Sequence, residues 1–167
     1  MRVLAGILLA SLLVIIGQSP PAAAVMSVTP TATDGWQWPV DPVRIVSPYR
    51  APAHRYAAGH RGIDVAASPG AVVSAPAAGT VAFAGEVAGR PLVTIDHGDG
   101  LVSTLEPVIA GVPIGAHIRA GDAVGAAATG GHARAGAVHF GVREDGEYIN
   151  PMALLTGVPR AILLPCC

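Results

Sequence analysis

The chain has 167 residues, 10 Lys plus Arg against 11 Asp plus Glu, and a formal net charge of -1. That balance gives no reason to expect a nucleic acid or an anionic membrane surface as partner. Aromatics make up 4% of the chain, while 21 glycines and 15 prolines point to many short strands and turns rather than long helices.

The first segment, residues 1–24, reads as a secretory signal peptide. Arg2 supplies the positive start, residues 3–16 are a nearly unbroken apolar run, and Ala22-Ala23-Ala24 offers a small-residue cleavage site. The run is shorter than the roughly 20 residues a bilayer span needs, and Pro20-Pro21 ends it. An uncleaved leader would be the one contact with a membrane. The remainder is expected outside the cytoplasmic membrane, in the cell envelope or secreted.

Residues 25–35 are a Thr/Ser/Pro-rich linker, and a folded domain is expected over 36–158 with a tail at 159–167. Trp36 and Trp38 flank a polar residue and so share one face of an extended segment, where they pack the edge of the domain. Strands are expected over 43–49, 71–75, 80–84, 92–96, 101–105 and 137–142, with a hairpin turn at His97-Gly98-Asp99-Gly100. Residues 115–125 carry glycines at two corners and read as another hairpin. A short helical turn is expected at 151–155. No stretch of the domain has a helical period of useful length, so the fold class is all-β and antiparallel.

The first chemical signal is Gly59-His60-Arg61-Gly62-Ile63-Asp64-Val65-Ala66. Gly62 and the β-branched neighbours favour a strand with a tight entry, and positions four apart on a strand point to the same face. His60 and Asp64 would then present a nitrogen and an oxygen to one ion, a donor set that suits zinc. The bland alternative is a histidine and an aspartate hydrogen-bonded at a loop edge. Cys166 and Cys167, adjacent at the end of the chain, form neither a disulfide framework nor a metal site.

Four motifs in order carry a resemblance. They are His60-Arg61-Gly62-Ile63-Asp64; Ala75-Pro76-Ala77-Ala78-Gly79-Thr80-Val81; the Gly115 to Gly125 segment; and Ala137-Val138-His139-Phe140 followed by Asn150-Pro151. Together they resemble the lysostaphin-type, LytM-like zinc peptidases that hydrolyse peptidoglycan. The resemblance implies the antiparallel, duplicated hybrid-motif-like β fold of that family. It also implies one zinc ion held by His60, Asp64 and His139, and a cell-wall peptide as substrate. Zinc would lower the pKa of a bound water toward about 7.

The family also uses two further histidines, and here the chain departs from it. By spacing, one falls on Pro107 and the other on Ala137, neither of which can carry a proton. Losing a positioned acid–base group forfeits about 10²–10⁴ in rate. Glu106 is the candidate catalytic substitute if the strand is broken at Pro107. His132, in a glycine-rich loop, is a second candidate, able to reach the gap left by Ala137 or to touch substrate. His54 and Arg55 border the mouth of the expected groove, where they could touch a substrate carboxylate, the alternative being a solvated loop. His97, His117 and Tyr148 read as structural or solvated.

Two functions compete: a secreted zinc endopeptidase acting on peptidoglycan, and a degenerate domain that binds cell wall or regulates another hydrolase. A third, a lipoyl-like carrier suggested by the 115–125 segment, fails because the chain contains no lysine to modify.

Overall fold

A computed structural model describes residues 35–131 and 134–155. The expected signal peptide, the linker up to residue 34, the tail and His132 lie outside the described residues. The described part contains eleven strands and one short 3₁₀ turn: β1 Ile45–Ser47, β2 Ile63–Ala66, β3 Val72–Ser74, β4 Gly79–Val87, β5 Arg90–Gly98, β6 Leu101–Glu106, β7 Val108–Ala110, β8 His117–Ile118, β9 Ala123–Ala127, β10 Ala137–Glu144, β11 Glu147–Ile149 and the turn Pro151–Ala153. All the strand pairings are antiparallel, as the sequence predicts.

Eight strands form the main sheet in the order β1-β2-β10-β6-β5-β4-β8, with β11 paired to β10. A second sheet holds β3-β9-β7. Alternation along the central strands explains the core. Ile63, Val65, Val93, Ile95, Leu105, Val138, Phe140 and Val142 are fully buried, and their period of two puts them on one face of the main sheet. Trp36 is 3% exposed and joins that core against Phe140, with ring centroids 6.3 Å apart. Its backbone bridges to Leu155, which ties the two ends of the domain together.

The expected hairpin at 97–100 tightens to a two-residue turn. Asp99 and Gly100 have φ of 49° and 77°, the left-handed pair that such turns require and that an Asp-Gly dipeptide supplies. His97 is therefore not in the turn but in β5, buried, with Nδ1 2.9 Å from the Ala78 carbonyl and Nε2 2.7 Å from Ser103 Oγ.

The 115–125 segment is not a self-paired hairpin. β8 pairs with β4 in the main sheet, while β9 pairs with β3 and β7 in the other. Between them Arg119 to Asp122 is a turn closed by Arg119 N donating to Asp122 Oδ2 at 2.8 Å. The glycines mark a crossover between sheets, which local spacing cannot distinguish from a hairpin. The expected terminal helical turn is present as the 3₁₀ turn, its start capped by Asn150 Oδ1 accepting from Met152 N at 3.1 Å.

Candidate metal centre

The polar face of the main sheet carries one continuous row of cross-strand partners. Ser47 on β1 is opposite Asp64 on β2, Asp64 is opposite His139 on β10, and His139 is opposite Glu106 on β6. Directly opposed residues in antiparallel strands share a face, so these four side chains stand on the same side. The row alternates with the apolar core residues beneath: Asp64 sits between Ile63 and Val65, and His139 between Val138 and Phe140.

His60 reaches the row from outside the strands. Its backbone pairs with Arg50, where its N donates to the Arg50 carbonyl at 2.9 Å and its carbonyl accepts from Arg50 N at 3.0 Å. Gly62 then lets the chain pass over β10. A β-carbon at residue 62 would lie 2.5 Å from the Phe140 carbonyl oxygen and 2.6 Å from His139 Nε2. Only glycine fits such an approach.

Three donor atoms converge. His60 Nε2 is 3.0 Å from Asp64 Oδ1 and 3.1 Å from His139 Nδ1, and His139 Nδ1 is 2.8 Å from Asp64 Oδ1. His60 Nδ1 lies 2.7 Å from the Pro48 carbonyl oxygen and 3.3 Å from Ser47 Oγ. A carbonyl can only accept, so Nδ1 carries the hydrogen. In the neutral form of this ring the lone pair is at Nε2, which faces a carboxylate oxygen and a second imidazole nitrogen. Such a convergence is repulsive unless a proton or a cation lies within it.

The donor chemistry fits a zinc ion. Two imidazole nitrogens and one carboxylate oxygen are a known catalytic zinc set, and a backbone carbonyl behind the ligand histidine fixes its tautomer. A tetrahedral ion with bonds of about 2.0–2.2 Å has ligand–ligand edges of about 3.3–3.6 Å, so the observed edges of 2.8, 3.0 and 3.1 Å would have to open by about 0.2–0.8 Å. Asp64 is prepared for this role. Burial raises its pKa, but the hydrogen bond from His139 and the charges of His60 and His139 outweigh that effect, and the carboxyl lies below its ordinary value of 3.8.

Beside the triangle lies a groove of about 380 Å³, lined by His60, Arg61, Arg90, Glu106, His139 and Tyr148, among other residues. Glu106 is 4% exposed, and its Oε1 lies 3.6 Å from Arg90 Nη1. The structure thus puts Glu106, not Pro107, on the face that holds His139. The sequence spacing places the vacant accessory position on Pro107, the residue that follows β6. β6 ends at Glu106 with regular pairing, and no break is needed to turn its side chain to the site.

Ala137 shares the face of His139, two residues before it, and is buried; it offers no polar group. His54 lies in an exposed turn, its carbonyl accepting from Ala57 N at 2.8 Å. The groove takes in the neighbouring residues 59–61 but not His54. Arg90, Tyr148 and Ser47 were missed by sequence reasoning. Arg90 opens β5 and Tyr148 is the middle residue of β11, and neither carries a motif; their place at the groove arises from strand pairing.

Fold and site together define a β-sheet domain with a two-histidine, one-carboxylate donor cluster that could hold a metal ion, beside an open groove. Residues 58–151 match Peptidase family M23, and the chain belongs to that family. It is 37% identical over 129 residues to the uncharacterized protein Rv2891 of Mycobacterium tuberculosis, a match covering 73% of this chain and 52% of that one. The chain therefore spans about half the length of this curated relative. Among solved structures it is similar to Helicobacter pylori Csd3, with a TM-score of 0.62 and 26% identity over 77% of this chain and 36% of that one. It is also similar to the catalytic domain of the prophage-encoded M23 protein EnpA of Enterococcus faecalis. There the TM-score is 0.58 and the identity 26%, over 70% of this chain and 94% of that domain.

Proposed function

We propose that this chain is a secreted zinc metalloendopeptidase that cleaves peptide bonds of peptidoglycan. His60, Asp64 and His139 would hold the metal, and Glu106 would act as the proton-transferring group. The observation that carries this reading is the row Asp64–His139–Glu106, which sets a carboxylate on the same face as the three convergent donors. Membership of a peptidase family supports the reaction class, and the apolar leader at residues 3–16 supports export.

Zinc in this site would supply Lewis-acid polarisation of the scissile carbonyl and activation of water at neutral pH. The protein's own part is to hold and move protons. Pro48 and Ser47 fix the His60 ring so that Nε2 faces inward. The Glu106 carboxylate accepts the proton of the attacking water and returns it to the departing amine, as general acid–base catalysis requires. Leu92 and Thr104, on the groove wall, line the path of an extended peptide.

A second reading draws on Ala137 and on the Arg90–Glu106 ion pair. A missing donor and a neutralised carboxylate suit a domain that binds cell wall without cutting it. Zinc-loaded protein incubated with purified peptidoglycan separates the two. Release of new amino termini by wild type and its loss in Glu106→Gln supports the peptidase. Sedimentation with peptidoglycan and no release supports the binding domain.

A further inference from the structure

We infer that the loop from Arg50 to His60, beside the groove, is a second binding surface whose occupant is a polyanionic polysaccharide. Arg50 and Arg55 meet the polymer's phosphate or carboxylate groups, and Tyr56 packs on a sugar ring. The inference goes beyond the peptidase reading and does not depend on it.

The loop is closed at its base. Arg50 N donates to the His60 carbonyl at 3.0 Å, and His60 N donates to the Arg50 carbonyl at 2.9 Å. Gly59 packs into this base: a β-carbon there would lie 2.8 Å from the Arg50 carbonyl oxygen and 2.9 Å from Pro52 N. Arg61 holds the far side, its Nη2 donating to the Arg55 carbonyl at 2.6 Å and to the Ala57 carbonyl at 3.2 Å. Ala57 N donates to the His54 carbonyl at 2.8 Å. A surface loop with joined ends and an internally bonded backbone is of the Ω type, a class that often carries function. The hydrogen bonds at its apex engage the backbone and leave His54, Arg55 and Tyr56 exposed.

The charge of this stretch is one-sided. Residues 42–63 contain Arg44, Arg50, Arg55 and Arg61 and no Asp or Glu. The flanking acid Asp64 is buried in the donor triangle. Arg50 and Arg55 are exposed, and among the described residues neither guanidinium has an ion pair. Arg50 also lines a cleft of about 230 Å³ with Ala51, Ala58 and Gly59. Planar guanidinium forks match phosphate and carboxylate groups. Tyr56 is 88% exposed, an open aromatic ring of the kind that binding surfaces use as an anchor. A loop that docks on a membrane needs several apolar anchors beside its cations. Tyr56 has only Pro52 and alanines around it in the loop, which favours a hydrated polymer.

The test runs the zinc-loaded full chain in affinity gels containing alginate, dextran phosphate or neutral dextran. Wild type is expected to bind one of the charged polymers at least about 10-fold more tightly than neutral dextran, and the tighter of the two identifies the anion as carboxylate or phosphate. Arg50→Gln and Arg55→Gln should each weaken that binding by about 2- to 5-fold, and the double variant by about 4- to 25-fold. Tyr56→Ala should weaken it by about 2- to 10-fold while leaving binding to inorganic polyphosphate, which has no ring, unchanged. Unchanged melting temperature and zinc content establish that the variants are folded. Equal binding to charged and neutral dextrans, or wild-type binding by the double variant, overturns the inference. Wild-type affinity in Tyr56→Ala overturns the sugar contact. Tighter binding to phosphatidylglycerol vesicles or to a single-stranded oligonucleotide than to either charged polysaccharide overturns the choice of partner. None of these probes contains a peptide bond, so each result leaves the peptidase reading to its own assay.

Discussion

Glu106 lies directly across the sheet from His139, the two being register partners in β6 and β10. One is a member of the donor triangle and the other a buried carboxylate at the adjoining groove. Glu106→Gln keeps the shape and removes the proton-accepting function. It is expected to lower release of amino termini from peptidoglycan by about 10²–10⁴, the usual cost of a positioned acid–base group. Zinc content should stay at the wild-type level. Undiminished turnover in Glu106→Gln would remove this residue from the reaction.

The donor triangle predicts one zinc per chain. Elemental analysis of protein purified with added zinc should give a stoichiometry near one for wild type and near zero for His139→Ala, which loses one of three ligand atoms. Equal zinc in the two proteins would show that the metal lies elsewhere.

Gly62→Ala tests the approach of the chain over β10. The added carbon meets the Phe140 carbonyl and His139 Nε2 well inside contact distance. Overpacking of this kind costs about 1–3 kcal/mol, and because one of the two neighbours is a His139 ring atom, weaker zinc retention should accompany the fall in melting temperature. A variant with wild-type stability and zinc content would contradict this.

In the core, Phe140 is fully buried and stacks on Trp36. Phe140→Ala is expected to destabilise the domain by about 3–5 kcal/mol in chemical denaturation. A loss below 1 kcal/mol would mean that the core packs differently.

His97 predicts a pH dependence of stability. Burial pushes its pKa below the ordinary 6.5, against the raising effects of the Ala78 hydrogen bond and the Asp96 charge. The folded chain therefore resists a proton that the unfolded chain accepts. The stability this contributes is fully present above pH 6.5 and falls as the pH drops from there toward the lower folded value. Asp64 acts in a separate window, its contribution lost only as the pH falls below 3.8. Melting temperatures of metal-free protein between pH 7.5 and 5.5 should decline more steeply for wild type than for His97→Gln. Parallel slopes would exclude His97 as a source.

Much of this was legible in the sequence for a physical reason. Alternation of Val138, Phe140 and Val142 with polar neighbours is a local signal of a half-buried strand, and Asp99-Gly100 is a local signal of a tight turn. The spacing of His60 and Asp64 is local too, and those two side chains do meet. Where two segments had to find each other, sequence reasoning failed. Glycines at 115 and 121 look the same in a hairpin and in a crossover between sheets. Tyr148, read as packing, lines the groove because β11 is paired alongside β10.

By itself, then, the sequence determined the all-β class, the local His60–Asp64 pair and the absence of a histidine at residue 137. Each is written in side-chain identity or in a pattern spanning a few residues. Only the tertiary structure decided that Glu106 rather than Pro107 faces the site, and that Arg90 covers it. Those facts belong to the register between strands far apart in the chain, where a slip of one residue moves every side chain to the opposite face.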